Sequence, residues 1–180
     1  MVRILSLLLF LIVAASPTAN LAASDGITDD EYSVYSSLIN SRFLPRWTNL
    51  AVIEAHTQFD DDVLIPREFE DDLRPKLANT CTLGRRLHIR VKYLLLTENQ
   101  LDHLFKRDLS NGWDSYWKTH GRHATGLLSF SRVGYNATKD KAFVYASESC
   151  GTLCGDGYSF VLTKQKGTWR VAQEKHLWIS

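Results

Sequence analysis

The fold is decided by four runs near the C-terminus: GLLSFSRVGY at 126–135, KAFVYAS at 141–147, YSFVLTK at 158–164 and TWRVAQEKH at 168–176. Each run is rich in the β-branched and aromatic residues that favour strands. The breaks between the runs carry turn-favouring residues, Asn136 and Asp140 in the first break and Gly167 in the third. Because short connections join antiparallel neighbours, the runs predict a four-stranded antiparallel meander.

The chain upstream of the meander is predicted to supply helices. Thr28, followed by three acidic residues, is a typical helix start, and apolar residues spaced by three and four continue to Phe43. The other predicted elements are, in chain order, a strand at 50–57, a short helix at 67–78 that is interrupted near Pro75, a strand at 87–93 and a helix at 98–106. The sequence therefore predicts an α+β fold with N-terminal helices packed on a curled antiparallel sheet.

The first residues have the pattern of an export signal. Arg3 precedes an apolar run at 4–15 that is too short to cross a bilayer, and small residues up to Ala23 follow. We therefore expect a signal peptide at 1–23 that is cleaved, a single α+β domain at 24–180, and a secreted or periplasmic protein. No later segment is apolar enough to predict a membrane span after cleavage.

The charge balance bears on the class of partner. Lys and Arg together number 21 and Asp and Glu 20, so the loss of Arg3 with the signal peptide leaves no net charge. Nucleic-acid binders commonly carry a basic excess, because phosphate neutralisation drives their affinity, and we expect no nucleic-acid partner. No Gly-rich phosphate loop is present, and we predict no cofactor. The acidic segment at 60–72 lacks the spacing of an EF-hand loop and is interpreted as a solvated surface.

The chain has three cysteines, Cys81, Cys150 and Cys154. In an exported chain, Cys150 and Cys154 are expected to form a structural disulfide across a Gly-containing turn. Redox-active pairs normally enclose two residues rather than three, and zinc would need ligands beyond this pair. Cys81 is then a free thiol or pairs with another chain.

The last third also carries a series of short motifs: SRVGYN at 131–136, AFVY at 142–145, Cys150 with LCGDG at 153–157, LTK at 162–164, GTW at 167–169 and LWIS at 177–180. In this order the motifs resemble an uncharacterised family of exported bacterial proteins. That resemblance implies export and brings no known activity. A weaker likeness, carried by the Gly-Thr-Trp turn before an apolar run, is to NTF2-like α+β domains, and it implies a cavity rather than a chemistry.

His120 and His123 are the candidate metal ligands. Two imidazoles three residues apart share one face of a helix, although Gly121 between them predicts that this segment is not helical. A third ligand would have to come from elsewhere in the chain. The alternative interpretation is a polar surface loop.

Arg132 is the candidate ligand contact. It lies between apolar residues in a predicted strand, where a charge must be exposed or paired. Facing a cavity, its guanidinium could orient an anionic ligand. The alternative is a buried or peripheral salt bridge with a carboxylate.

Two function classes follow from these residues. The first is an exported, non-catalytic module that binds a small molecule or an envelope protein, and the absence of a nucleophile elbow favours it. The second is a metal-assisted hydrolase with a dispersed site that includes His120 and His123.

Overall fold

A computed structural model describes residues 26–106 and 108–180, so the predicted signal peptide at 1–23 lies outside the described residues. The helices are α1 (Asp29–Leu38), which continues into a π-helical segment at Ile39–Phe43, α2 (Arg67–Leu77), α3 (Glu98–Phe105) and α4 (Leu109–His120). The strands are β1 (Leu50–Glu54), β2 (Lys92–Leu96), β3 (Ala124–Phe130), β4 (Gly134–Tyr135), β5 (Lys141–Gly151), β6 (Cys154–Gln165) and β7 (Thr168–Ile179). The predicted α+β class is confirmed.

The strands form one sheet in the order β2-β1-β3-β5-β6-β7, with β4 also paired to β5. The predicted meander is confirmed, since β3, β5, β6 and β7 pair antiparallel in sequence. The sheet is mostly antiparallel, as predicted, but at the other edge β1 runs parallel to both β2 and β3. Helices connect these three strands, and parallel neighbours require such long crossovers.

The predicted strand at 87–93 is wrong over most of its length, because β2 begins only at Lys92. The alternating residues before it form hydrogen bonds with side chains of α1 and its π-helical extension instead of with a neighbouring strand. The amide of His88 donates to Ser36 Oγ at 2.9 Å, and the amide of Arg90 donates to Asn40 Oδ1 at 2.9 Å. These side chains take the place of a strand ladder, which alternation alone cannot reveal.

Helix α4 was not predicted, and the expectation that the segment around His120 is not helical is wrong up to that residue. Asp108 caps the helix by accepting from the amides of Ser110 and Asn111. Gly112 lies inside the helix because a Cβ there would come within 2.5 Å of the carbonyl oxygen of Leu104. Gly112 therefore permits close packing of α4 against α3. In the sequence alone, a glycine at this position is easily taken as the sign of a loop.

The helix predicted at 67–78 is confirmed as α2, but it is not interrupted at Pro75, which lies in its last turn. The proline lacks the amide that would bond to the carbonyl four residues before it, and α2 ends two residues beyond it at Leu77.

Helices cover both faces of the sheet. On one face, α1 packs through Tyr35 against Phe130, at a ring-centroid distance of 5.6 Å. On the opposite face, α2 packs through Phe69 against Phe143, at 5.7 Å. Helix α4 packs on that second face as well, because Tyr116 belongs to the same apolar cluster as Val52 of β1. Two separate apolar clusters therefore share the second face, with room between them for a site.

Cys150 and Cys154 form a disulfide across the β5–β6 hairpin, and Cys81 is free. The predicted disulfide is therefore present, and a disulfide fits a protein that folds in an oxidising compartment. In the part of the chain that the structure describes, no helix is both long and apolar enough to span a membrane.

Candidate functional site

A cavity of about 720 Å³ opens on the second face of the sheet, where the end of β1 meets the end of α2 and the start of α3. The residues that line it are mostly polar, and those used below are Glu54, His56, Gln58, Asp61, Glu98 and Arg132. Alternation along β1 explains the position of the first of them. Val52 faces α4 and Ile53 faces α1, so Glu54 points to the second face again.

Glu54 is the buried carboxyl group of this cavity, with 8% of its surface exposed. The hydroxyl of Ser129 donates to Oε2 at 2.8 Å, and the amide group of Gln58 donates to Oε1. Burial raises the pKa of Glu54, and the nearby charge of Glu98 adds to that effect, while the two hydrogen bonds and the nearby His56 oppose it. Among the described residues, no basic side chain forms an ion pair with Glu54.

This raised pKa predicts a stability that depends on pH. The folded protein holds the Glu54 proton at a pH where the unfolded chain, with its ordinary pKa of 4.5, has lost it. Stability contributed by Glu54 is therefore greatest below pH 4.5 and falls as the pH rises through the folded-state pKa. We expect Glu54→Gln to match the wild type in urea unfolding at about pH 4 and to exceed it at about pH 8.

The control for this comparison is Glu70→Gln. Glu70 is on α2, pairs with Arg74 on the surface, and does not line the cavity, so its substitution should leave the pH dependence unchanged. A Glu54→Gln variant that is less stable than the wild type at both pH values would contradict the interpretation of Glu54 as a buried, unpaired carboxylate.

His56 follows β1, and its backbone is held firmly. The chain on both sides of it pairs with the segment after α2: the amide of Thr57 donates to the carbonyl of Cys81 at 2.9 Å, and the amide of Leu83 to that of Ala55 at 2.6 Å. The Nδ1 atom of His56 is buried and has no hydrogen-bond partner among the described residues. A buried polar atom without a partner costs the fold about 1–3 kcal/mol.

Arg132 lies in the break between β3 and β4, where the predicted 126–135 strand divides, and it lines the same cavity. Its guanidinium donates to both carboxylate oxygens of Glu31, at 2.9 and 3.1 Å, to Cys81 Sγ at 2.9 Å and to the carbonyl of Gly26 at 2.9 Å. Glu31 is completely buried. The salt bridge that the sequence left open is therefore present, and a ligand contact by Arg132 stays a prediction.

The two charges of this pair stabilise each other. Burial alone would raise the pKa of Glu31, but the hydrogen bonds from Arg132 and Thr28 and the charge of Arg132 outweigh it and hold that pKa below 4.5. The same pairing keeps the pKa of Arg132 above its usual value despite its burial. The positive charge of Arg132 is thus already neutralised within the protein.

The structure does not bring His120 and His123 together on one helix face. His120 is the last residue of α4, and His123 lies beyond the turn at Gly121. The ring of His120 packs against Tyr116 at 4.8 Å, and burial lowers its pKa. In residues 26–106 and 108–180, no group of three or more His, Cys, Asp or Glu side chains is placed to hold a metal ion.

Sequence analysis missed Glu54, His56 and Gln58. One signal was available: the alternation of Leu50, Val52 and Glu54 places a carboxyl group at the end of an otherwise apolar face. The segment that closes the cavity from the other side, at 79–82, gives no comparable signal. It is irregular, and only the tertiary fold brings it beside β1.

The fold and the site together define an α+β domain with a polar cavity on one sheet face, built around a buried carboxyl group. Comparison with known proteins finds no matching family, no matching curated protein and no matching solved structure.

Proposed function

We propose that the protein is an exported, non-catalytic binding module that holds a small hydrophilic molecule in the cavity beside Glu54. One observation carries the proposal: a carboxyl group with only 8% of its surface exposed lines this cavity and forms no ion pair with a basic side chain among the described residues. A fold tolerates a buried, uncompensated acid poorly, so such a group favours a ligand as its missing partner.

The dimensions of the cavity support this proposal. Its volume of about 720 Å³ lies within the range of roughly 300–1,000 Å³ typical of small-molecule sites. Polar groups converge there from β1, from the segment after α2 and from the start of α3.

The location is proposed from two features. The apolar run at 4–15 predicts export, and the disulfide between Cys150 and Cys154 fits an oxidising compartment. We propose a secreted or periplasmic location, and the resemblance to exported bacterial proteins is consistent with it. In that setting the protein would collect or carry its ligand outside the cytoplasm.

Native mass spectrometry tests this function. The purified protein and a Thr80→Trp variant, whose indole is placed in the cavity wall, are incubated with the small-molecule fraction of a cell extract. We expect the wild type to retain an added mass that the variant does not retain, because the ligand and the indole compete for one space.

The matched control is Thr152→Trp, which places the same indole at an exposed position of the β5–β6 hairpin. This variant should bind as the wild type does. A wild type without any added mass, or an added mass that Thr80→Trp retains in full, would reject the cavity as the binding site.

A further inference from the structure

We infer that the ligand of this cavity is a small organic cation whose primary ammonium group donates hydrogen bonds to Glu54. The inference rests on the proposed function and specifies its ligand class. It follows from the charge of the cavity wall and from the free acceptor sites of Glu54.

The charge of the wall is negative. Glu54, Asp61 and Glu98 line the cavity, and none of the three forms an ion pair with a basic side chain among the described residues. Arg132 is the one arginine or lysine in the described wall, and Glu31 neutralises it through two hydrogen bonds. His56 is the other basic side chain there. A cation entering the cavity therefore meets uncompensated carboxylates, whereas an anion would be repelled by them.

Glu54 has acceptor sites left for such a ligand. An ionised carboxylate offers about four lone-pair positions, and Ser129 and Gln58 occupy one on each oxygen. A primary ammonium group carries three donors and no acceptor, so it complements the remaining positions. Hydrogen bonds between charged partners are roughly twice as strong as neutral ones, and more so in a buried site.

Isothermal titration calorimetry with three probes of equal length tests the charge preference directly. The probes are butane-1,4-diamine, butane-1,4-diol and butanedioate, which carry positive, neutral and negative end groups on the same carbon chain. At low salt and neutral pH we expect the diamine to bind at least about tenfold more tightly than the diol, and butanedioate to show no binding, because charge-assisted hydrogen bonds form with the diamine alone.

Variants locate the binding. Glu54→Gln preserves the shape of the side chain but removes its charge and one of its two acceptor oxygens, and should weaken diamine binding at least about tenfold. Glu98→Gln, at the solvent-facing start of α3, should weaken it less. Glu70→Gln changes the net charge equally, lies outside the cavity, and should leave the affinity unchanged.

Three results would overturn the inference: tighter binding of butanedioate or the diol than of the diamine, diamine binding that Glu54→Gln does not weaken, or displacement of the diamine by equimolar calcium chloride. In each case an extract-derived mass that Thr80→Trp excludes would still support the binding function. If the wild type shows no added mass, or Thr80→Trp retains that mass in full, the binding function itself is rejected. A wrong ligand class and a wrong function are therefore distinguishable.

Discussion

Glu31→Gln is expected to lower the free energy of unfolding by about 3–5 kcal/mol, because it removes one partner of a buried ion pair. The Glu31 carboxylate is completely buried and accepts two hydrogen bonds from Arg132. An arginine cannot lose its proton inside a protein, so its charge would stay in place without a counter-ion. Urea unfolding of the variant and the wild type at neutral pH measures the difference.

Two comparisons separate this effect from a general sensitivity to substitution. The surface pair between Arg42 and Glu174 is about one-third exposed on both sides, so Glu174→Gln should change stability by no more than about 1 kcal/mol. A double variant, Glu31→Gln with Arg132→Met, removes both charges and should recover much of the loss. A loss below about 1 kcal/mol for Glu31→Gln alone would contradict a buried, paired arrangement.

The pair also predicts a response to acid. Because the pKa of Glu31 is held below its ordinary 4.5, the stability contributed by the pair is fully present above that value. It is lost only as the pH falls further, through the folded-state pKa. The wild type and Glu31→Gln should therefore converge in stability in strongly acidic urea titrations, because a protonated Glu31, like a glutamine, leaves Arg132 without a counter-ion.

Phe130→Ala is expected to cost about 3–5 kcal/mol, as is typical when a buried aromatic ring is deleted from a core. Phe130 is 1% exposed and lies at the end of β3. Its ring packs against the rings of Tyr35 and Phe43, at centroid distances of 5.6 and 6.0 Å. The hydroxyl of Tyr35 donates to the carbonyl of Ser131 at 2.8 Å, so this cluster also fixes the break that carries Arg132. Urea unfolding measures the loss.

An exposed aromatic residue provides the control. Trp47 is 69% exposed, and Trp47→Ala should change the free energy of unfolding by about 0.5 kcal/mol or less. Phe130→Leu should fall between the two variants, because it keeps part of the buried volume. A Phe130→Ala variant as stable as Trp47→Ala would mean that α1 does not pack on β3 as described.

The meander was predictable because its evidence is local. In β5, Phe143 and Val144 face opposite apolar clusters, and that alternation of buried positions continues through runs bounded by clear turn residues. The cap at Thr28 was equally local, since its side chain and that of Glu31 satisfy each other's backbone amides. Signals of this kind depend on residues two to four positions apart, and in these two segments the tertiary packing agrees with them.

The rest depended on contacts that are distant in sequence. Nothing near β1 specifies that it pairs parallel to β3, some 70 residues later. The partner of Arg132 is Glu31, at a separation of 101 residues, so the choice between ligand contact and salt bridge could not be made from the sequence. The cavity itself requires the segments after β1 and after α2 to meet, and a single isolated bridge between His56 and Thr82 marks that meeting.

The most direct test of the account is the ¹³C NMR titration of the Glu54 side-chain carboxyl group, with and without butane-1,4-diamine, and with Glu54→Gln to assign its signal. We expect Glu54 to titrate above its ordinary pKa of 4.5 in the free protein. Addition of the diamine should then lower that pKa, because a neighbouring ammonium group favours the carboxylate. If Glu54 instead titrates at its ordinary pKa and that pKa does not change on addition of the diamine, Glu54 is not a buried carboxyl group that binds a cationic ligand.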